Sequence, residues 1–172
     1  MSMAASTSTV ARSLRATLTF GAVAAGISPL AVAQQGLQLF ETAGDGARAH
    51  WLRLELAGYG DAAVRPLHEV LGVGPADRLV AHVAAYRTQR GTVLAPNAGG
   101  PFAHFFVEPL SELVAARDRM RNQPGASVAL DFRPGDALAS YPGRVEFPGD
   151  IFERITAGFL AALYLQIGST FR

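Results

Sequence analysis

Alternating apolar and polar positions predict strands in several parts of the chain. From Leu52 to Leu56 every second residue is a leucine, and charged residues stand between them. Over residues 50–56 this is the period-two pattern of a half-buried strand. An aromatic-rich segment over 102–108 and an alternating segment over 127–132 predict two more strands. Residues 144–147 allow a further short one.

Apolar residues at helical spacing predict three helices. One covers residues 61–71 and another covers 109–121. The third, over 150–167, has the clearest start, because Asp150 and Glu153 match the spacing of a capping box. This last helix is apolar on most sides, so we expect it either to cross the core of its own domain or to contact a partner.

The segment from Leu79 to Arg87 decides the predicted fold, and its pattern fits either a strand or a helix. As a strand, it gives the order strand, helix, strand, strand, helix, strand between residues 50 and 132. That is the ferredoxin-like order, βαββαβ, and it predicts an α+β fold. Its four-stranded antiparallel sheet would carry both helices on one face, with an added C-terminal helix. As a helix, it would make the middle of the chain α-rich and the scheme would fail.

The N-terminal 40 residues contain no Asp or Glu and predict an export signal. Arg12 and Arg15 precede an apolar run over 16–33 that ends in the small residues typical of a cleavage site. We therefore predict a signal peptide over 1–33 and a periplasmic or secreted protein. An uncleaved membrane anchor over 16–33 and an organellar transit peptide are the alternatives. The remaining residues are predicted to form a single domain, with its core over 50–132 and a C-terminal extension over 133–172.

Composition excludes several kinds of chemistry. The chain has no Cys and no Lys, because all 15 basic residues are Arg. Thiol catalysis, disulfides, Cys-ligated metals and Schiff-base chemistry are therefore absent. Residues 34–172 carry 13 Arg against 14 acidic residues, which argues against a nucleic-acid-binding protein. No cofactor is predicted, and the spacing of the four histidines does not enforce a metal site.

The element order, with the stretch from His104 to Arg117 that passes from a strand into a helix, resembles the dimeric α/β-barrel superfamily. The resemblance lies between residues 50 and 132 and includes no specific motif. It implies a small protein that forms homodimers, and some families of this kind bind or transform apolar aromatic compounds. It assigns no catalytic residue, because no family motif is matched.

The predicted sheet would leave one face without helices, and this open face is the candidate site. In one of the possible registers a single set of side chains points towards it. The candidate ligand-binding residues are Trp51, Arg53, His82, Phe102, His104 and Phe106. For a catalytic role the candidates are His104 as a general base, with Arg53 and Tyr86 as further polar groups.

Three functions follow as hypotheses. The first is an exported domain that binds a small apolar or aromatic ligand, or a partner subunit, through the open sheet face. The second is a cofactor-independent isomerase or oxygenase on the same fold. The third is a structural subunit of an envelope or virion assembly. A homodimer or subunit contact is expected through the open face or through the helix over 150–167, with membrane attachment only if residues 16–33 are an anchor.

Overall fold

The structure is a computed structural model. It describes residues 2–19, 27–59, 86, 90–94, 102–132 and 143–171, and this part of the chain is predominantly helical. The helices are α1 (Ser2–Thr19), α2 (Pro29–Thr42), α3 (Gly46–Ala57), α4 (Leu110–Arg121) and α5 (Ile151–Thr170). The strands are β1 (Gly91–Leu94), β2 (Phe102–Phe105), β3 (Ser127–Phe132) and β4 (Gly143–Pro148). Two separate antiparallel pairs form, β1 with β2 and β3 with β4.

The predicted ferredoxin-like α+β fold is wrong, and so is the resemblance to the dimeric α/β-barrel superfamily. No four-stranded sheet is present among the described residues, because each strand pairs with one neighbour only. The segment over 50–56, predicted to be the first strand of that sheet, lies within α3. The helix predicted over 61–71 lies outside the described residues. Of the segment over 79–87 the structure describes Tyr86 alone, which has a helical backbone.

Local sequence explains why residues 46–57 form a helix despite their alternating leucines. Most residues of α3 are Ala, Leu, Arg or Glu, which are strong helix formers, and none is β-branched. The Asp45 side chain caps the helix by accepting a hydrogen bond from the Arg48 backbone N–H at 3.0 Å. Gly58 ends the helix. Capping and propensity therefore outweigh the period-two pattern.

Helices α1, α2, α3 and α5 enclose the main hydrophobic core. Its largest buried side chains are Phe40, Trp51, Leu52, Phe159 and Leu163. The three helices α2, α3 and α5 approach closely at Gly36 of α2. A Cβ atom there would lie 3.0 Å from a Leu163 methyl carbon and 3.1 Å from a Leu52 methyl carbon. Glycine therefore lets these helices pack at short range.

A smaller core lies where α4, the start of α5 and the end of β2 meet. It contains Phe106, Leu113, Ile151, Phe152 and Ile155, with Met120 and Val128 packed against it. The rings of Phe106 and Phe152 meet edge to face with centroids 5.7 Å apart. This core fixes the position of the β3–β4 pair against α4 and α5.

The predicted C-terminal helix is present as α5, but the predicted capping box is not formed. Asp150 makes no side-chain hydrogen bond to the helix start. Among the described residues, α5 is the helix that is long and apolar enough to cross a membrane. Half of its most apolar 18-residue segment is buried inside the chain's own fold. A core helix has the same composition, so this is weak evidence for a membrane span.

The predicted signal peptide, residues 1–33, spans α1 and the first residues of α2. Leu14 of α1 and Val32 and Ala33 of α2 are buried in the main core. The Arg15 guanidinium lies over the Tyr164 ring of α5, 4.8 Å from the ring centroid. Export and cleavage after Ala33 remain predictions. The packing of α1 and α2 is that of the uncleaved chain.

The start of α3 and the end of α5 are joined through Asp45 and Arg48. Arg48 donates to Asp45 at 2.6 Å, to the Gln166 side chain at 2.9 Å and to the Ser169 hydroxyl at 3.0 Å. Burial raises the pKa of the Asp45 carboxyl. Hydrogen bonds from the Arg48 backbone and side chain, with the Arg48 charge and the Thr170 hydroxyl, outweigh burial and leave this pKa below its ordinary value of 3.8.

We expect the Asp45 carboxylate to stabilise the fold in a pH-dependent way. Because its pKa is lower in the folded than in the unfolded state, the stabilisation is complete above the unfolded value and is lost as pH falls through the folded value. Asp45→Asn keeps a good N-cap residue but removes the charge. Its free energy of unfolding should therefore fall less steeply between about pH 5 and pH 2 than that of the wild type. Urea titrations at several pH values measure this, and parallel pH profiles for the two proteins would contradict it.

Candidate functional site

A cleft opens where α4, the turn after it, β3, β4 and the start of α5 meet, and we call it the α4–α5 cleft. Its volume is about 540 Å³, within the range of small-molecule sites. The residues that line it are Arg117, Met120, Arg121, Gln123, Pro124, Gly125, Ala126, Ser127, Pro148, Gly149, Asp150 and Glu153. Most of the exposed lining is apolar.

Close backbone packing shapes the floor of the cleft. The chain leaves β4 at Pro148 and enters α5 at Ile151, directly against the residues that precede β3. A Cβ atom at Gly149 would lie 2.6 Å from the Ala126 carbonyl oxygen and 2.8 Å from the Met120 methyl carbon. Only glycine fits there without a shift of the backbone. Gly149 therefore allows α4, β3 and α5 to converge on one cavity.

An ion pair between α4 and α5 stands in the wall of the cleft. Arg121 donates from Nε to one Glu153 carboxylate oxygen at 2.8 Å and from Nη2 to the other at 2.7 Å. This is the bidentate arrangement of a guanidinium and a carboxylate. Both side chains are accessible, with 49% of Arg121 and 34% of Glu153 exposed. The two hydrogen bonds raise the pKa of the Arg121 guanidinium further.

A second cleft of about 230 Å³ lies on the other side of this ion pair, between α4, α5 and the start of α2. The two clefts share Arg117, Arg121 and Glu153. Arg117 is largely buried and is paired with its neighbour Asp118, with Nη2 and Oδ1 at 2.8 Å. Two guanidinium groups therefore occupy the wall between the clefts, and each is held by a carboxylate of the chain.

A separate polar cluster is buried between α3 and the β1–β2 pair. Arg90 and Glu55 are each 1% exposed and form an ion pair with Nε and Oε2 at 2.7 Å. The other Glu55 oxygen accepts from the Tyr59 hydroxyl at 2.6 Å and from the Trp51 indole N–H at 3.2 Å. Burial, then the charge and hydrogen bond of Glu55, raise the pKa of the Tyr59 phenol well above its usual value of 10.0. Because its polar groups bond to one another and are shielded from solvent, this cluster is structural.

Arg90 also binds backbone carbonyl groups of α3 and of the residues that follow β2. It donates from Nη1 to the carbonyl oxygens of Phe106 and Glu108, and from Nη2 to the Glu55 carbonyl at 3.0 Å. The guanidinium lies 4.9 Å from the centroid of the Tyr59 ring. One side chain thus connects α3 to the strand pair.

Of the predicted site residues whose side chains the structure describes, Trp51 and Tyr86 are in contact, whereas Arg53 and Phe106 lie elsewhere, and these four do not share a sheet face. Trp51 lies in the main core, where its ring stacks on the Tyr86 ring at 5.0 Å. Arg53 is exposed on α3 and pairs with Glu41 of α2. Phe106 is buried in the smaller core. The Tyr86 hydroxyl donates to the Ala47 carbonyl at 3.1 Å.

The remaining candidates are only partly described. Phe102 and His104 lie in β2, where His104 is opposite Thr92 in the register, and nothing is described of their side chains. His82 lies outside the described residues. Among the residues that the structure describes, no three or more His, Asp or Glu side chains gather in a way that would hold a metal ion.

The sequence pattern does not reveal the α4–α5 cleft, because each residue that lines it is already explained by a helix, a strand or a turn. Arg117 and Met120 fit the helical spacing of α4, and Glu153 fits the capping box that does not form. No protein-family model, no curated protein and no solved structure matches this chain. The geometry of the chain itself is therefore the basis for assigning a function.

Proposed function

We propose that this protein binds a small molecule with an apolar or aromatic body in the α4–α5 cleft. The observation that carries the proposal is a cleft of about 540 Å³ with a mainly apolar lining and one accessible bidentate ion pair in its wall. Small-molecule sites combine an apolar lining with a few polar groups that fix orientation. Met120, Pro124 and Pro148 supply the apolar surface, and Arg121 supplies the polar group.

Binding is favoured over catalysis because each guanidinium group in the cleft is already paired with a carboxylate. Arg121 and Arg117 are each paired with a carboxylate of the chain, and these pairs hold and orient a ligand without providing a nucleophile. The proposal keeps the ligand class expected from the sequence and moves the site from the sheet face to the α4–α5 cleft.

Titration with 2-naphthamide, an uncharged aromatic probe, tests the proposal. We expect a Kd on the order of 1 mM by isothermal titration calorimetry, which corresponds to about 0.3 kcal/mol per non-hydrogen atom of this probe. Ser127→Phe places a ring in the cleft and should weaken binding about tenfold or more.

Ser111→Phe is the matched control, because Ser111 is exposed on α4 and does not line the cleft. It should leave the affinity for 2-naphthamide unchanged. An absence of binding to the wild type, or equal binding to the wild type and Ser127→Phe, would overturn the proposal.

A further inference from the structure

The ion pair in the wall of the α4–α5 cleft points to the chemical class of the ligand. We infer that the cleft takes an aromatic carboxylate, and that Glu153 occupies the place of the ligand's carboxylate until the ligand binds. This inference rests on the function proposed above, since it names the charged group of the same ligand.

Arg121 already shows the geometry with which it would bind a carboxylate. Its Nε and Nη2 donate to the two oxygens of Glu153 at 2.8 and 2.7 Å. A ligand carboxylate can accept the same two hydrogen bonds, because a guanidinium presents a rigid, planar pair of donors. A carboxamide offers only one acceptor oxygen and carries no negative charge, so it cannot accept these two parallel hydrogen bonds as a carboxylate does.

The Arg121–Glu153 pair is easy to exchange. Both side chains of this pair are accessible, so water competes for the guanidinium and the carboxylate and weakens their attraction. When released, Glu153 stays in the first turn of α5, where the partial positive charge of the helix start favours a carboxylate. The chain therefore loses little when a ligand replaces Glu153.

The charged groups that line the cleft favour the binding of one anion at Arg121. The charged residues that line the cleft are Arg117, Arg121, Asp150 and Glu153, which balance each other. Asp150 lies 3.7 Å from the Arg154 guanidinium, which offsets its charge. Moving Glu153 aside leaves the Arg121 guanidinium without a hydrogen-bonded carboxylate and with only the weaker attraction of Asp118, so the vacated position favours one negative charge.

The test compares 2-naphthoate with 2-naphthamide, which share the aromatic body and differ in charge. We expect the wild type to bind 2-naphthoate more tightly than 2-naphthamide. Glu153→Gln removes the competing carboxylate, so it should raise the ratio of the affinity for 2-naphthoate to that for 2-naphthamide about three- to fivefold. Arg121→Gln should lower the affinity for 2-naphthoate to about that for 2-naphthamide.

The double variant separates competition from a general structural effect. If Glu153 acts through Arg121, the gain from Glu153→Gln disappears when Arg121 is also Gln. Thermal melting of all variants checks that each is folded. Equal binding of the two probes to the wild type, or an equal gain for both probes in Glu153→Gln, would overturn the inference and leave the proposed function standing. If the wild type does not bind 2-naphthamide, the proposed function is overturned, and the inference with it.

Discussion

Arg90→Met is expected to lower the free energy of unfolding by about 3–5 kcal/mol. The substitution leaves the Glu55 carboxylate buried without its cation, and it removes the hydrogen bonds that Arg90 donates to the carbonyl oxygens of Phe106 and Glu108. An uncompensated buried charge is strongly destabilising because it loses its solvation and gains nothing in return. Urea denaturation measures the effect. The single Trp of the chain, Trp51, bonds to Glu55 and provides a fluorescence signal.

Two further variants make this result specific. Arg53→Met removes the cation of the exposed pair with Glu41, so it should change stability by less than about 1 kcal/mol. Combining Arg90→Met with Glu55→Met removes both buried charges and should recover part of the loss. A loss for Arg90→Met no larger than that for Arg53→Met would contradict the role given to the buried pair.

The second large effect concerns residues 1–33. A chain of residues 34–172 is expected to be less stable than the full chain by about 3–6 kcal/mol, because burial of Leu14 and Val32 contributes about 1.5–3 kcal/mol each. The cut would also fall inside α2, after Ala33, which is fully buried. Thermal and urea unfolding of both chains measure the difference.

Substitutions in α1 of the full chain provide the control. Leu14→Ala should lower stability by about 2–5 kcal/mol, whereas Val10→Ala should have little effect because Val10 is 48% exposed. Equal stability of the two chain lengths would show that α1 is not needed for the fold. A less stable short chain would show how much stability an exported and cleaved form loses with these contacts.

Local patterns identified the elements whose own residues determine them. The helices predicted over 109–121 and 150–167 and the strand predicted over 127–132 are present, because propensity and spacing agree there. The segment over 50–56 carried two conflicting signals. Its leucines alternate as in a strand, but its helix-forming composition and the cap at Asp45 decided the outcome.

The candidate site could not be predicted, because it depends on contacts between distant residues. Arg121 and Glu153 are 32 positions apart, and Arg90 and Glu55 are 35 apart. Each residue has an ordinary local explanation: Glu153 stands where a capping box would place it, and Glu55 stands where a strand would expose it. Only the packing of α4 on α5, and of α3 on the strand pair, brings each carboxylate to its arginine.

The side chain of Arg90 also determines how β1 aligns with β2. The backbone carbonyl of Arg90 accepts from the Phe106 N–H at 3.0 Å, and the Arg90 guanidinium donates to the Phe106 carbonyl at 2.9 Å. A shift of β1 by one residue would move the guanidinium away from Glu55, and a shift of β2 would break its hydrogen bonds to Phe106 and Glu108. The register of β1 and β2 thus depends on α3, which lies much earlier in the chain. The two strands do not pair independently of that helix.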